Sequence, residues 1–192
     1  MSLFIDIQVP EAVVRQAQAG DVAAHRQLYL LLGRPVYTLL LRLVASPSVA
    51  EDLLHDVFVE LLRGVHRYRA EGSFGGWVRS IAVSKALMHL RSPWHRRFLP
   101  HIGDELPAVA EHAGGAQEWR QDLERALGAL QPLTRSIVWL HDVEGYTHPE
   151  IARLFGRSVS FSKSQLARAH EQLRDLLEPQ SGAFPCMPLS KT

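Results

Sequence analysis

The sequence predicts an all-α protein of two small helical domains joined by a flexible linker, with a helix-turn-helix as the second domain. Apolar residues recur at helical spacing in both halves of the chain, and no segment shows the alternation of a strand. The periodicity fails between Ser92 and about Gln117, where proline and glycine interrupt the chain, and this segment is too long for an ordinary connection within one compact domain. We therefore expect domains over residues 1–91 and 119–178, a linker over residues 92–118 and a mobile tail over residues 179–192.

The composition is that of an ordinary globular protein. Of the 192 residues, 46% are hydrophobic and 21% are charged, which excludes a largely disordered chain and a collagen-like fibre. The one cysteine, Cys186, excludes a disulfide scaffold and a multi-thiolate metal site, and it is typical of a reducing compartment. No apolar run reaches the roughly 18–20 residues that a membrane helix needs. These features predict a cytoplasmic protein.

Two helical stretches are predicted in the first third of the chain. One runs from about Glu11 to Val44, with breaks near Gly20-Asp21 and at Gly33-Arg34-Pro35. The other carries an apolar stripe from Leu53 to Val65, and Ser48 with Glu51 three residues later predicts a capping box at its start. Its other face is acidic, because it carries Glu51, Asp52, His55, Asp56 and Glu60.

The remaining elements are also helices separated by turns. A glycine-rich turn over residues 69–76 precedes a helix over about 77–91, and helices over 119–130 and 133–143 follow the linker. Thr147 with Glu150 predicts a second capping box, and Gly156 marks the end of that short helix. The last helix is predicted from about Val159 to Leu177.

The charge of the chain is concentrated in one block. Residues 61–100 carry eight basic side chains and one acidic side chain, a local charge of +7 in a protein whose net charge is +1. The same block holds five aromatic residues: Tyr68, Phe74, Trp77, Trp94 and Phe98. Cations attract polyanions, and flat rings stack on unpaired bases, so the block favours a surface for single-stranded nucleic acid. A solvated basic face over buried aromatic residues is the alternative.

Residues 147–177 have the spacing of a helix-turn-helix, with glycine in the three-residue turn. Leu166, Ala169, Leu173 and Leu177 are predicted to face inward. The outward side chains of the second helix are predicted to be Ser160, Lys163, Ser164, Ala167 and Arg168. Such residues suit phosphate and base contacts in a major groove. A plain helical hairpin remains the alternative for this segment.

Enzymatic chemistry has no support in the residue pattern. The ten histidines form no HExxH motif, and no CxxC or phosphate-binding glycine loop is present. We predict exposed, isolated histidines at His141 and His148, and no catalytic residue, metal site or cofactor.

The order of these parts resembles the extracytoplasmic-function (ECF) sigma factors of bacterial RNA polymerase. AQAGDVAAHRQLY (17–29) is similar to the opening helical turn of the family. Residues 49–91, which include VAEDLLHDVFVELLRGVHRYRAEGSFGGW, are similar to its region 2, and residues 127–177, which include EGYTHPEIARLFGRSVSFSKSQLARA, are similar to its region 4. The resemblance implies a transcription initiation factor that binds core polymerase and promoter DNA and leaves the chemistry to the polymerase.

The resemblance also implies roles for particular residues. Contact with the β′ clamp helices is implied for Glu51, Asp52, Leu54, His55, Asp56 and Phe58, and contact of region 4 with the β flap is implied as well. Binding and melting of the −10 element are implied for Arg67, Tyr68, Arg69, Phe74, Trp77, Arg79, Ser84 and Lys85. Binding of the −35 element is implied for Arg157, Ser158, Ser160, Phe161, Lys163, Ser164, Gln165 and Arg168.

The chain departs from the family pattern at several positions. Val49 stands where the family usually has aspartate, Val83-Ser84 replaces a common Arg-Asn pair, and Gln165 replaces the arginine of a Lys-Ser-Arg run. Two other hypotheses therefore stay open: a sigma-like module that binds an anti-sigma factor without reading DNA, and a stand-alone helix-turn-helix regulator. In the leading hypothesis an anti-sigma factor is also expected as a partner.

Overall fold

The structure, a computed structural model, describes residues 7–92 and 116–177. The eight α-helices in these ranges are α1 (Glu11–Gln18), α2 (Val22–Val44), α3 (Pro47–Gly64), α4 (Phe74–Arg91), α5 (Ala116–Ala129), α6 (Pro132–Val138), α7 (His148–Phe155) and α8 (Val159–Leu177). A 3₁₀ turn (Val65–Arg67) follows α3, and a π-helical turn (Trp139–Val143) follows α6. The predicted all-α fold is confirmed. The predicted tail, with Cys186, and all but Ser92 and residues 116–118 of the predicted linker lie outside the described residues.

Helix α2 is the centre of the first helical group. Leu28, Leu32, Val36, Leu39 and Leu43 are all fully buried along it. Their spacing of three or four residues places them on one side of the helix, where α1, α3 and α4 pack. Burial of each such side chain contributes about 2 kcal/mol to stability, so this stripe holds the group together.

The predicted break at Gly33-Arg34-Pro35 is wrong. Helix α2 continues through Pro35 for 23 residues without interruption. Proline in a helix interior removes one backbone hydrogen bond and costs about 3 kcal/mol. The buried leucines on both sides of Pro35 offset this cost, because a break there would expose them.

The predicted start of α3 is also wrong. The helix begins at Pro47 after Ser46, and neither Ser46 nor Ser48 caps it through its side chain. Proline suits the first helical position because its φ is already helical and its missing N–H has no partner to lose there. Helix α4 likewise begins three residues before the prediction, since Ser73 caps it by accepting a 3.0 Å hydrogen bond from the Gly76 N–H.

The second helical group packs around a smaller set of buried residues, which belong to the same hydrophobic cluster as those of the first group. Ile137, Leu140, Ile151, Phe155 and Ala169 are buried in it, and α8 contacts α5, α6 and α7. The predicted bounds of α8 are confirmed. Within the two described ranges, no helix is long and apolar enough to span a bilayer.

The C-terminus of α2 allows a test of backbone strain. Ala45 ends the helix with φ 52°, in the left-handed region that glycine adopts without a Cβ clash. We expect Ala45→Gly to raise the free energy of unfolding by about 0.5–1 kcal/mol, measured by urea denaturation. Ala19→Gly is the control, because Ala19 ends α1 with φ −80°. A loss of stability in Ala45→Gly would contradict the argument.

Candidate nucleic-acid interface

Three aromatic residues of the predicted nucleic-acid surface form one cluster. The ring centroids of Tyr68 and Phe74 are 5.0 Å apart, and the Trp77 centroid is 5.4 Å from each of the other two. Phe74 is buried in the core at 6% exposure, whereas Tyr68 and Trp77 are half-buried at the surface. Stacking on bases is therefore open to Tyr68 and Trp77, while Phe74 supports them from below.

Helix α1 and the loop after α3 hold this cluster in place. The Gln18 side-chain amide donates hydrogen bonds to the Val65 carbonyl at 3.1 Å and the Tyr68 carbonyl at 2.9 Å. The Tyr68 hydroxyl donates to the Gly72 carbonyl at 2.7 Å, which closes the loop on itself. Beside the loop lies a cleft of about 340 Å³, lined in part by Gln18, Tyr68, Arg69 and Phe74.

Glycine in α3 favours the close packing of Trp77. A Cβ built on Gly64 would lie 3.3 Å from Cζ2 of Trp77, which is tighter than an ordinary contact. The missing side chain thus lets the indole lie across the end of α3. Gly64 therefore influences how closely the Trp77 indole packs against α3.

The basic residues of this region separate into two sets. Arg67 and Arg69 are exposed, and Lys85 lies 3.7 Å from the carboxylate of Glu60. Ser84, a polar residue of the same predicted set, is also exposed. Arg79 is turned away from them toward the second helical group. Arg79 thus bonds to the second helical group.

Arg79 joins α4 to the turn before α7. Its Nη1 donates to the Glu144 carbonyl at 3.0 Å and lies 3.5 Å from the Glu144 carboxylate, which is 1% exposed. The guanidinium also lies over the Tyr146 ring, 4.8 Å from its centroid. Burial raises the pKa of Tyr146, and the nearby Arg79 charge acts in the opposite direction.

A second polar contact joins α2 to the other group. Arg42 pairs with Glu124 and lies 5.3 Å from the centroid of the Trp139 ring. The Ser136 hydroxyl shares its proton between the Pro132 carbonyl of its own helix at 2.8 Å and the Leu43 carbonyl at 3.2 Å. Within the described part of the chain, three buried donors at these contacts have no hydrogen-bond partner: Nε of Arg42, Nε of Arg79 and Nε1 of Trp139. Each such donor costs about 1–3 kcal/mol, so the two groups are docked through an imperfect surface.

The acidic face of α3 is exposed as predicted. Glu51, Asp52, His55 and Asp56 are all exposed and Leu54 is half-buried, whereas Phe58 is buried at 7% exposure. Phe58 packs under Tyr29 of α2, with ring centroids 4.8 Å apart. The predicted contact residues thus form one surface, except that Phe58 lies beneath it.

An apolar patch beside the acidic face was not predicted. Leu30 is 70% exposed and Tyr29 is 51% exposed on α2, and a shallow groove with Gly33, Tyr37 and Leu54 adjoins them. The sequence does not reveal this patch, because exposed and buried leucines lie side by side in the same leucine-rich segment. The packing of the neighbouring helices on α2 decides which leucines are covered.

The turns of the helix-turn-helix form as predicted. The Thr147 N–H donates to the Glu150 carboxylate at 2.8 Å and the Glu150 N–H donates to the Thr147 hydroxyl at 3.4 Å, a complete capping box. Gly156 ends α7 with φ 60°, where glycine avoids a Cβ clash. The Ser158 hydroxyl then caps α8 by accepting from the Phe161 N–H at 3.1 Å.

The exposed side of α8 matches the prediction. The predicted outward residues are all exposed: Ser160, Lys163, Ser164, Ala167 and Arg168. Leu166 and Ala169 are buried, and Leu173 is half-buried. Phe161 is half-buried, with the guanidinium of the exposed Arg157 lying 5.8 Å from its ring centroid.

Gln165 lies between the two sides of α8 and is turned inward. Its side-chain oxygen accepts a 3.0 Å hydrogen bond from the hydroxyl of Thr134, a buried residue of α6. Gln165 is half-buried as a result. This contact ties the middle of α8 to α6.

The prediction of isolated, exposed histidines is wrong for His141 and His148. Their half-buried rings stack with centroids 4.6 Å apart, and Asp142 bridges His141 and His170 with N–O distances of 2.7 Å to each. Burial, and then the charges of His141 and Lys163, lower the pKa of His148, which hydrogen-bonds the Ser162 hydroxyl at 3.1 Å. Through Ser162 and His170 the cluster joins α8 to its neighbours. In the described ranges no three His, Cys, Asp or Glu side chains are placed to hold a metal ion.

Comparison with known proteins finds sigma factors of RNA polymerase, both by family models and by similar sequences. The model of Sigma-70 region 2 matches residues 28–96, and that of Sigma-70 region 4 matches residues 120–173. The chain is 33% identical to the RNA polymerase sigma factor CarQ of Myxococcus xanthus, over 82% of this chain and 91% of that protein. It is also 33% identical to the ECF RNA polymerase sigma factor SigE of Mycolicibacterium smegmatis, over 76% of this chain, and it spans 58% of that relative's length.

Two solved structures share the fold. One is the sigma factor RpoE in complex with the anti-sigma factor NepR from Bartonella quintana, with 20% identity, a TM-score of 0.55, and coverage of 81% of this chain and 97% of that one. The other is CnrH in complex with the cytosolic domain of CnrY, with 22% identity, a TM-score of 0.54, and coverage of 88% and 97%. At these identities the likeness concerns the fold.

The capping box makes the stability of the second group depend on pH. Hydrogen bonds from Thr147 lower the pKa of Glu150, so its stabilisation is complete above the ordinary carboxyl pKa and is lost as the pH falls through the lowered value. We expect Glu150→Gln to lower the free energy of unfolding by about 0.5 kcal/mol at pH 7, and less at pH 3. In a Thr147→Ala background this pH-dependent difference should shrink. A difference that stays constant with pH would contradict the argument.

The Arg79 contact predicts a change in shape on substitution. Arg79→Ala removes the guanidinium that contacts Glu144 and Tyr146, and we expect it to raise the population of separated domains roughly tenfold. Small-angle X-ray scattering would detect this as a larger radius of gyration. Arg69→Ala is the matched control, because it removes the same charge from an exposed position. Equal radii for the two variants would contradict the prediction.

Proposed function

Because the chain belongs to the ECF family of RNA polymerase sigma factors, we propose that it is an alternative sigma factor that binds core polymerase and directs promoter recognition and DNA melting. Members of this family are transcription initiation factors. The observation that carries the proposal is the combination, on one chain, of an acidic helix face, a basic loop with surface aromatic rings and a helix-turn-helix. In this function the polymerase supplies the catalytic residues, and the chain works in the cytoplasm beside it.

The acidic face of α3 is the proposed polymerase contact. Glu51, Asp52 and Asp56 offer exposed carboxylates to the β′ clamp helices, and Leu54 with the adjoining Leu30 offers apolar area. Interfaces of this kind need both, since charges guide association and apolar burial slows dissociation. The second domain would bind the β flap through a surface other than the exposed side of α8, which is the proposed DNA-binding surface.

The aromatic loop is the proposed site of −10 melting. Opening a duplex costs about 1–2 kcal/mol of stacking for each base-pair step, so unpaired bases need a replacement surface. Trp77 and Tyr68 offer their rings, the cleft beside Arg69 can receive a base, and Arg67 with Lys85 can hold the backbone. Phe74 contributes as the buried support of the two rings.

Opening of the interdomain contact is part of the proposal. Arg79 can reach promoter phosphates only after it leaves Glu144 and Tyr146. The unsatisfied donors of Arg42, Arg79 and Trp139 lower the cost of separation, because water can hydrogen-bond them once the surface opens. Binding to core polymerase would supply the free energy for this step.

A second candidate function is supported by one observation. Gln165 stands at the family's arginine position and bonds inward to Thr134, so that long side chain is lost from the DNA-facing side. A sigma-like module that binds an anti-sigma factor and does not read DNA would tolerate this loss. The apolar groove beside Leu30 would then be a surface for that partner. In the leading proposal an anti-sigma factor is a regulator; here it would be the main partner.

Co-elution with core polymerase tests both candidates. The purified chain is mixed with bacterial core polymerase, and run-off transcription from genomic DNA is then measured. We expect a stable complex and discrete transcripts. Asp52→Lys should abolish co-elution, while Glu11→Lys, which makes the same charge change on α1, should not. A folded chain that never binds core polymerase would favour the anti-sigma module.

Trp77 distinguishes melting from binding. We expect Trp77→Ala to leave closed-complex formation within about twofold of wild type and to lower open-complex formation, read by permanganate reactivity, roughly a hundredfold, because about 1–3 kcal/mol of stacking per base is lost. Trp77→Phe should restore most of the opening, since a ring remains. Thermal melting of each variant checks its fold. An equal loss of binding and opening would show that Trp77 acts as a core residue.

A further inference from the structure

Helix α1 reaches the aromatic loop between α3 and α4 through one side chain. Gln18, the last residue of α1, is half-buried, and its amide nitrogen donates to the Val65 carbonyl at 3.1 Å and to the Tyr68 carbonyl at 2.9 Å. A primary amide carries two N–H donors, so this one group can serve both carbonyls. The chain leaving α3 is thereby tied to a residue 47 and 50 positions earlier.

Gln18 is itself held by a fixed helix. Val13, Val14 and Ala17 of α1 are buried in the core. The ring Nε2 of His25 in α2 also donates to the Ala17 carbonyl at 3.0 Å. Because the packing of α1 already fixes its backbone, the Gln18 side chain loses less conformational freedom when it bonds to the loop.

The aromatic loop has little regular structure of its own. Residues 68–73 belong to no helix, and Ala70 has φ 59°, a left-handed conformation that strains a residue with a Cβ. Tyr68 holds the loop at three points: its carbonyl accepts from Gln18, its N–H donates to the Val65 carbonyl at 3.1 Å, and its hydroxyl donates to the Gly72 carbonyl at 2.7 Å. A strained segment keeps one conformation only where its surroundings impose it.

The Tyr68 backbone also determines where its ring lies. That ring is 5.4 Å from the Trp77 ring between centroids, and the two rings form the proposed stacking surface. Rings that are already in place when bases unpair need no ordering during duplex opening, so preorganisation speeds the opening step. The hydrogen bonds of Gln18 reach neither the acidic face of α3 nor α8.

We propose that Gln18 is a positioning residue for promoter melting: its amide holds the Tyr68 backbone, and through it the Tyr68 and Trp77 rings, in the arrangement that receives unpaired bases. The inference rests on the proposed function, since it needs the aromatic loop at the −10 element. Both N–H groups of the amide are used within the chain, so Gln18 acts through the rings. Its effect falls on the opening step and leaves polymerase binding unchanged.

Hydrogen exchange of the free full chain tests the clamp without polymerase or DNA. Gln18→Met keeps the length of the side chain and removes both donors. We expect the Tyr68 amide, followed by NMR, to exchange roughly three- to tenfold faster than in wild type, the factor that one hydrogen bond supplies. Gln16→Met is the matched control, because Gln16 is exposed on the same helix.

The same variants are then tested with core polymerase and a promoter found by run-off transcription. We expect Gln18→Met to form closed complexes within about twofold of wild type and to lower open-complex formation, read by permanganate reactivity, roughly tenfold, the loss expected from two hydrogen bonds. Gln16→Met should match wild type in both measurements.

Two further substitutions separate donation from shape. Gln18→Lys supplies a long side chain whose ammonium donates, and it should restore the ratio of open to closed complexes to within about threefold of wild type. Gln16→Lys carries the same charge and corrects for any general gain in DNA affinity. Gln18→Glu has nearly the shape of glutamine, but its carboxylate only accepts, so it should open less than Gln18→Met. A ranking by shape, with Gln18→Glu nearest to wild type, would overturn the inference.

The other outcomes are distinct. Slower opening with unchanged Tyr68 exchange overturns the inference, because Gln18 would then contact DNA directly. Faster exchange with normal opening overturns it as well, since the loop would melt DNA without being held. An equal loss of closed and open complexes would show a general structural role. Each of these results leaves the proposed function standing. If wild type forms no complex with core polymerase, the proposed function fails and this inference fails with it.

Discussion

Helix α2 is the element against which both halves of the described chain pack. One side of it buries a continuous row of leucine and valine side chains under α1, α3 and α4. Its C-terminal end meets α5 through Arg42 and α6 through the Leu43 carbonyl. The free energy of that row is large enough to carry a proline through the helix interior. The positions of the acidic face of α3 and of the aromatic loop after it depend on the packing of α3 and α4 against α2.

The contact between the two halves has an apolar and a polar part. Buried apolar side chains of both halves belong to one cluster. Guanidinium groups, aromatic rings and a buried carboxylate lie beside it, and within the described residues three N–H donors there have no hydrogen-bond partner. A surface of this kind holds two domains together without making them inseparable, since water can satisfy the same groups after separation. Arg79 can therefore leave Glu144 and Tyr146 without a large cost, as the proposed function requires.

The second domain orients its last helix through contacts at several points along its length. Ser158 caps its start, Gln165 ties its middle to α6, and Ser162 and His170 hydrogen-bond the histidine cluster. These bonds fix the rotation of α8 about its own axis, which decides which short side chains face outward. The residue types of His141 and His148 did not predict this cluster, because its members come from three separate elements: the π-helical turn, α7 and α8.

The sequence by itself determined the all-α class, the capping box at Thr147, the glycine turn at Gly156 and the exposed and buried sides of α8, since these depend on residues within about one helical turn of each other. Tertiary structure alone decided the rest. Continuity through Pro35 follows from burial against α3 and α4, the inward turn of Gln165 follows from Thr134, and the diversion of Arg79 follows from Glu144, 65 residues away. Long-range packing outweighs local propensity at these positions because a buried stripe or a paired buried charge is worth more free energy than any single residue's preference.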